Sequence, residues 1–296
     1  GVVDEGVSCA PRSVTLQQAI NMTRRRTGMS AMAAAFGDDV AVVDVGIAAD
    51  VPGVGILGRK VRRGTGNIAV EDAMTRPEAL AAMAAGMEQA ARARADSITA
   101  LGIGEMGIGN TSTSAAVLSA LTGADIEVVT GRGGGLTDEG FARKKDVLRR
   151  ALTRRAVDKD DVLDVLCAVG GLDIAAMAGA FLGCARERIP AAVDGFISVV
   201  AALCAVTLCP EVRNYLFLSH DSYEVGYRIA AETLGLQPCL HLGMRLGEGS
   251  GCPLLFRVLE GACGVMAGMA TFAQAAIQDD YLDEIRAGDS FTVDKP

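Results

Sequence analysis

Between Leu101 and Ser112 the chain reads Leu-Gly-Ile-Gly-Glu-Met-Gly-Ile-Gly-Asn-Thr-Ser, and an Ala/Leu-rich stretch runs on from Thr113 to Leu121. An apolar strand end, a glycine loop around one carboxylate, and a polar step into a helix form one strand–loop–helix turn of an α/β protein. Backbone N–H groups at a helix start make an anion site, and glycines let a phosphate come close to them. A second carboxylate sits between glycines far downstream, in Arg245-Leu246-Gly247-Glu248-Gly249-Ser250-Gly251. Two carboxylates in glycine loops point to chemistry on a phosphorylated small molecule.

The rest of the chain repeats the alternation. Helices are expected at Val14 to Thr27 (with Ser13 as N-cap), Met29 to Phe36, Arg76 to Ala95, Asp138 to Leu152, Asp160 to Val169, Leu172 to Cys184, Phe196 to Cys209, Ser222 to Leu234 and Pro253 to Ala276. Strands are expected at Asp39 to Val45, within the basic glycine-rich Gly53 to Gly66 stretch, and at Ser97 to Ile103. Others are expected at Asp125 to Thr130, Ala191 to Asp194, Tyr215 to Ser219 and Cys239 to Leu242. A polar tail follows from Asp279. The pattern predicts an α/β fold: a doubly wound, mostly parallel Rossmann-like sheet with helices on both faces, plus a small helical region from the chain ends. Three parts are expected: a helical 1–36, an α/β domain at 37–252 that carries the glycine loops, and a helical 253–296. In such sheets ligands bind at the C-terminal strand edge, where the glycine loops, Asp194 and Ser219 to Ser222 are expected to converge.

Composition narrows the classes. Half the residues are hydrophobic, aromatics are only 4% and Trp is absent, which favours closely packed Ala/Gly helices over an aromatic-rich sandwich. A net charge of −8 without a basic stripe argues against nucleic acid as a partner. The eight cysteines form no CxxC pair and several lie in apolar runs, so they read as reduced, mostly buried thiols of a cytoplasmic protein. The apolar runs are too short to span a membrane.

Each candidate residue also has a plain structural reading. Glu248 is the first choice for a general base, with Leu246 and Met244 desolvating one side, or else a loop or helix-capping carboxylate. Glu105 faces substrate or is bonded to loop N–H groups. Lys144, between Arg143 and Lys145, grips phosphate or is a solvated helix lysine. Arg245 does the same or pairs with Glu248. His220 and His241 read as structural, since no third metal ligand has suitable spacing, and Asp44 as a loop-orienting residue. Gly102-Ile103-Gly104-Glu105-Met106-Gly107 matches the dinucleotide fingerprint by letter, but no acidic residue ends the next expected strand.

The two glycine loops also carry a resemblance. The first is similar to a G-E-M-G-I-G-N-T-[TS] segment, and the second, Met244 to Gly251, to an M-R-L-G-E-G-[ST]-G segment, of the nicotinate-nucleotide–dimethylbenzimidazole phosphoribosyltransferases of cobamide lower-ligand synthesis. Similar stretches occur at Gly1 to Ser8, Val42 to Gly46, Lys60 to Asn67, Gly131 to Lys145, Gly170 to Gly179 and Ser219 to Gly226. In that family helices ordinarily precede the first of these, and Gly1 falls inside that stretch.

The resemblance implies transfer of the phosphoribosyl group of nicotinate mononucleotide to a benzimidazole-type base. Glu248 matches the catalytic base, and Glu105 lines the site in an electrostatic role. Gly107, Gly109, Asn110, Thr111, Gly133, Gly134, Lys144, Ser222 and Arg245 match phosphoribosyl-binding positions, and Ser8, Gln17 and Leu246 the base pocket. Asp194 matches a position at or near a subunit interface. The chemistry needs no cofactor and no metal, and a homodimer is expected. Cys9, Tyr227 and His241 depart from the family pattern, which makes the acceptor the point where this chain is expected to differ. A paralogue using a purine or phenol, and a non-catalytic partner subunit, are the alternatives.

Overall fold

The computed structural model describes residues 1–53, 55–278 and 280–283, so most of the expected polar tail lies outside the described residues. After a 3-10 turn at Val2–Glu5 come α1 (Ser13–Thr23) and α2 (Gly28–Phe36). Arg12, not Ser13, holds the cap position of α1, with no side-chain bond. The helix stops short of Thr27 because Thr27 and Ser30 form the capping box of α2. β1 (Val42–Asp44) and β2 (Ile56–Gly58) pair in parallel as a separate two-stranded sheet. Asp44 orients the next loop, as expected: its Oδ1 accepts the N–H groups of Gly46 and Ile47 at 3.0 and 2.8 Å, and Lys60 lies 3.2 Å from Oδ2.

The order then runs α3 (Arg76–Ala95), β3 (Leu101–Ile103), α4 (Asn110–Thr122), α5 (Ile126–Val129), α6 (Asp138–Arg154), α7 (Val162–Val169) and α8 (Leu172–Glu187). It continues with β4 (Ala191–Val193), α9 (Phe196–Leu208), β5 (Leu216–His220), α10 (Val225–Leu234), β6 (Pro238–Leu240) and α11 (Cys252–Gly268). β3, β4, β5 and β6 form an all-parallel sheet in that order. The α/β class and the parallel pairing follow the expectation, with the strands divided between two sheets.

Three further expected elements differ. Asp125 to Thr130 is not a strand: Asp125 accepts the Glu127 N–H at 2.9 Å and caps α5, overriding the β-branched Ile-Glu-Val-Val pattern. The last long helix ends at Gly268 and not at Ala276, and beyond it Thr271 accepts the Gln274 N–H and starts a separate turn. Helix α10 starts at Val225, which leaves Ser222 and Glu224 in the preceding loop.

The Ala/Gly composition is explained by α3 and α8. A Cβ on Gly86 would lie 1.8 Å from the Ala176 carbonyl oxygen, and one on Gly179 2.0 Å from that of Met83. The two helices therefore touch backbone to backbone, which only glycine permits. A capping box of Thr75 and Glu78, Pro77 in the first turn, and Arg92 and Arg94 in the last turn fix the ends of α3. Helix α9 is buried from Phe196 to Ala205 and carries the core beside the sheet.

The described residues divide into two compact units, Gly1–Phe256 and a second that starts at Arg257. The second exposes Val265, Met266, Met269 and Phe272. No helix among the described residues is long and apolar enough to cross a membrane.

Candidate active site

The loops that leave the C-terminal ends of β3, β4 and β5, and the loop after β6, meet around one cavity of about 250 Å³. This is where an open parallel sheet presents helix starts and loop N–H groups. The loop after α5 and residues 7–10 close its sides. Of the expected site residues, Glu105, Gly107, Gly109, Asn110, Thr111, Gly133, Gly134, Ser222, Arg245, Leu246, Glu248 and Ser8 all line it.

Glu248 is buried and sits at φ +63° between Gly247 and Gly249, which have φ of +81° and +82°. One carboxylate oxygen accepts Gln18 Nε2–H at 2.9 Å. The other is buried and has no hydrogen-bond partner among the described residues. The expected desolvation is therefore present, but Leu246 does not supply it. Leu246 is mostly exposed and leans its Cδ2 toward Gly28, while Met29 packs at Gly249. Gln17, the expected pocket residue, is exposed and off the cavity; its neighbour Gln18 reaches Glu248.

Glu105 lines the same cavity. A Cβ on Gly247 would stand 3.5 Å from its Oε1, so the two carboxylate loops adjoin. Asn110 Nδ2 bridges Glu105 and Asp173, donating to Asp173 Oδ2 at 2.8 Å. Burial, with the nearby charges of Asp173 and Asp194, pushes the Glu105 carboxyl up to about 8, against the Asn110 bond.

Lys144 is fully buried, which removes the solvated-helix reading. It stands just behind the cavity wall, donating from Nζ to Thr111 Oγ1 at 3.0 Å and to the Gly131 carbonyl at 2.9 Å. A Cβ on Gly133 would be 3.7 Å from Nζ, so the glycine loop lies over the ammonium. Burial lowers the Lys144 ammonium to about 8, with Glu224 opposing that shift. An ammonium has three donors, so one remains for a ligand. Arg245 is exposed, and its guanidinium lies 5.7 Å from the centre of the Tyr223 ring.

Of the three positions that depart from the family pattern, Cys9 lines the cavity, with Sγ 3.4 Å from the Gly134 carbonyl oxygen. Tyr227 is buried away from the cavity, and His241 is exposed beside Asp221. His220, read as structural, is buried, bonded to Ser219 at 3.0 Å, and at the cavity wall. Asp194, expected near a subunit interface, is buried inside this chain. Sequence reasoning missed Gln18 and Glu224, which have no motif of their own.

A buried carboxylate with one unpartnered oxygen lines a cavity together with glycine loops and Thr111, and the Lys144 ammonium lies behind Thr111; this is the equipment of a group-transfer enzyme. A family profile described as "Phosphoribosyltransferase" matches residues 1–277. The chain is 46% identical to the nicotinate-nucleotide–dimethylbenzimidazole phosphoribosyltransferase of Clostridium perfringens strain 13, over 99% of this chain and 81% of that protein. It is 45% identical to the enzyme of that name from Geobacter metallireducens, over 94% and 79%. The crystal structure of CobT from Thermus thermophilus superposes with a TM-score of 0.90 at 42% identity, over 94% of this chain and 83% of that one. The chain belongs to the nicotinate-nucleotide–dimethylbenzimidazole phosphoribosyltransferase family.

Proposed function

We propose that this protein transfers the phosphoribosyl group of nicotinate mononucleotide to a benzimidazole-type base, giving α-ribazole 5′-phosphate and nicotinate. The observation that carries this reading is Glu248: a buried carboxylate, one oxygen held by Gln18 and the other unpartnered among the described residues, in the cavity that is also lined by Arg132, Gly133, Gly134 and Thr111. Glu248 removes the ring N–H proton of the acceptor. The freed nitrogen attacks C1′ as the C1′–pyridinium bond breaks, with inversion. The bond electrons neutralise the pyridinium nitrogen, so nicotinate leaves without a general acid.

Lys144, Thr111, Gly107, Gly109, Asn110, Gly133, Gly134, Ser222 and Arg245 hold the phosphoribosyl group. A charge-assisted lysine contact and loop N–H groups supply the anion site. Glu105 faces the ribosyl carbon. The cationic pyridinium of bound nucleotide makes its carboxyl more acidic, so that the carboxylate then favours positive charge on C1′. Ser8 and Leu246 border the acceptor. Residues 1–36 supply Gln18 and Ser8, residues 37–252 the sheet and its loops, and the described residues from 253 on an apolar part that begins with α11. The exposed Val265, Met266, Met269 and Phe272 support a homodimer, and eight free cysteines support a reducing, cytoplasmic location.

The test is product analysis. Incubation with nicotinate mononucleotide and 5,6-dimethylbenzimidazole is expected to yield nicotinate and the α-anomeric ribazole phosphate in equal amounts. Absence of both products, or transfer only to a phenol or purine, would contradict the acceptor assignment.

A further inference from the structure

Asp194 follows β4 and is buried, and both of its carboxylate oxygens are committed to one loop. Oδ2 accepts the Gly249 N–H at 3.0 Å and Oδ1 the Gly251 N–H at 2.7 Å. That loop carries Glu248, the one non-glycine residue in a run of three left-handed residues at 247–249. A glutamate keeps such a conformation only where its surroundings impose it. His220 Nδ1 is 3.8 Å from Oδ1, too far for a hydrogen bond, so the carboxylate's close partners are backbone N–H groups: those of Gly249 and Gly251, with that of Gly195 next along the chain.

The same residue reaches the other carboxylate loop. The Asp194 N–H donates to Ser198 Oγ at 3.2 Å, and Ser198 Oγ donates to the Ile103 carbonyl at 2.7 Å. Ile103 ends β3, directly before Gly104 and Glu105. A Cβ on Gly104 would lie 2.4 Å from Gly249 Cα, so the two loops touch backbone to backbone beside this network.

We propose that Asp194 is a positioning residue for the transfer reaction: by binding the Gly249 and Gly251 N–H groups it fixes the left-handed turn at Glu248 and so sets where that carboxylate stands against the acceptor. The proposal rests on the reading of Glu248 as the base. It requires two acceptor oxygens. Asparagine has one, and its amide would set N–H groups against an N–H.

The test compares wild type, Asp194→Asn and Ser198→Ala with nicotinate mononucleotide and either benzimidazole or the more acidic 5-nitrobenzimidazole. A base displaced by about 1 Å costs on the order of 100-fold, so kcat with benzimidazole is expected to fall by about that much in Asp194→Asn. The loss with 5-nitrobenzimidazole is expected to be about tenfold smaller, because that acceptor depends less on the base. The nucleotide KM is expected to stay within about twofold, since phosphate is held elsewhere. Ser198→Ala, which keeps both Asp194 oxygens, is expected to show a smaller loss with the same acceptor bias, and it carries the test if Asp194→Asn does not fold. Equal losses with both acceptors, a nucleotide KM that rises as kcat falls, or unchanged turnover in the variants would overturn the proposal. A wild-type protein inactive with every benzimidazole overturns the functional reading and this proposal with it, whereas an active wild type beside an unimpaired Asp194→Asn overturns this proposal alone.

Discussion

Gln18 Nε2 lies 2.9 Å from Glu248 Oε1, a bond between the first helix and a loop 230 residues further along. It satisfies one oxygen of the buried carboxylate and leaves the other without a hydrogen-bond partner among the described residues. Hydrogen bonds to charged groups are worth about 1.5–3 kcal/mol, so Gln18→Ala is expected to lower kcat by about 10- to 100-fold. Gln17→Ala, on the exposed side of the same helix, is expected to leave kcat unchanged. Steady-state assays of the two variants check this, and equal behaviour would contradict it.

Stability should carry the signature of Glu105. Its carboxyl titrates near 8 in the folded protein against 4.5 ordinarily, so the folded state holds the extra proton between those values. The stability this provides is full below about 4.5 and is lost as pH rises through 8. Burial raises Asp173, Asp194 and Glu224 in the same direction. The ligand-free protein is expected to melt higher at pH 5.5 than at pH 8, with a flatter profile in Glu105→Gln. An unchanged profile in that variant would show that Glu105 does not titrate this way.

The nucleotide step should depend on Lys144. Burial lowers its ammonium to about 8, so kcat/KM for the nucleotide is expected to fall as pH rises past 8. The fall is expected to persist in Glu105→Gln, where the other group titrating in that range is gone. Lys144→Ala is expected to raise the nucleotide KM by about tenfold or more, with little change in the acceptor KM. A nucleotide KM that does not move would remove Lys144 from the phosphate site.

Gly104→Ala places a methyl 2.4 Å from Gly249 Cα and 2.5 Å from its nitrogen. Backbone on both sides cannot yield cheaply, so a loss of about 1–3 kcal/mol in stability is expected, along with turnover. Gly58→Ala has nothing within 4 Å and is expected to stay within about 0.5 kcal/mol of wild type. Denaturant melts of the two variants decide the point.

Much of this was legible in the sequence because glycine and periodicity mark it. The loops at Glu105 and Glu248, the parallel strands and the buried α9 all carry local patterns. What was missed depends on partners remote in sequence or on phase along a helix. Adjacent residues on a helix point about 100° apart. Nothing in Gln17-Gln18 says which faces inward until the Glu248 loop packs on α1. The Arg143-Lys144-Lys145 run gives no sign that only its middle member is fully buried. Asp194 bonds to backbone N–H groups 55 and 57 residues away, which no side-chain pattern records. Asp125 to Thr130 failed for the opposite reason: β-branched residues suggested a strand, and one capping aspartate decided for a helical turn.

The most direct measurement is the turnover of Glu248→Gln with nicotinate mononucleotide and 5,6-dimethylbenzimidazole. Glutamine keeps the size and can still bond to Gln18, but it cannot take the acceptor proton. kcat is expected to fall by about two to four orders of magnitude, the span of general-base loss, with the nucleotide KM little changed. A variant that turns over at close to the wild-type rate would contradict the assignment of Glu248 as the base.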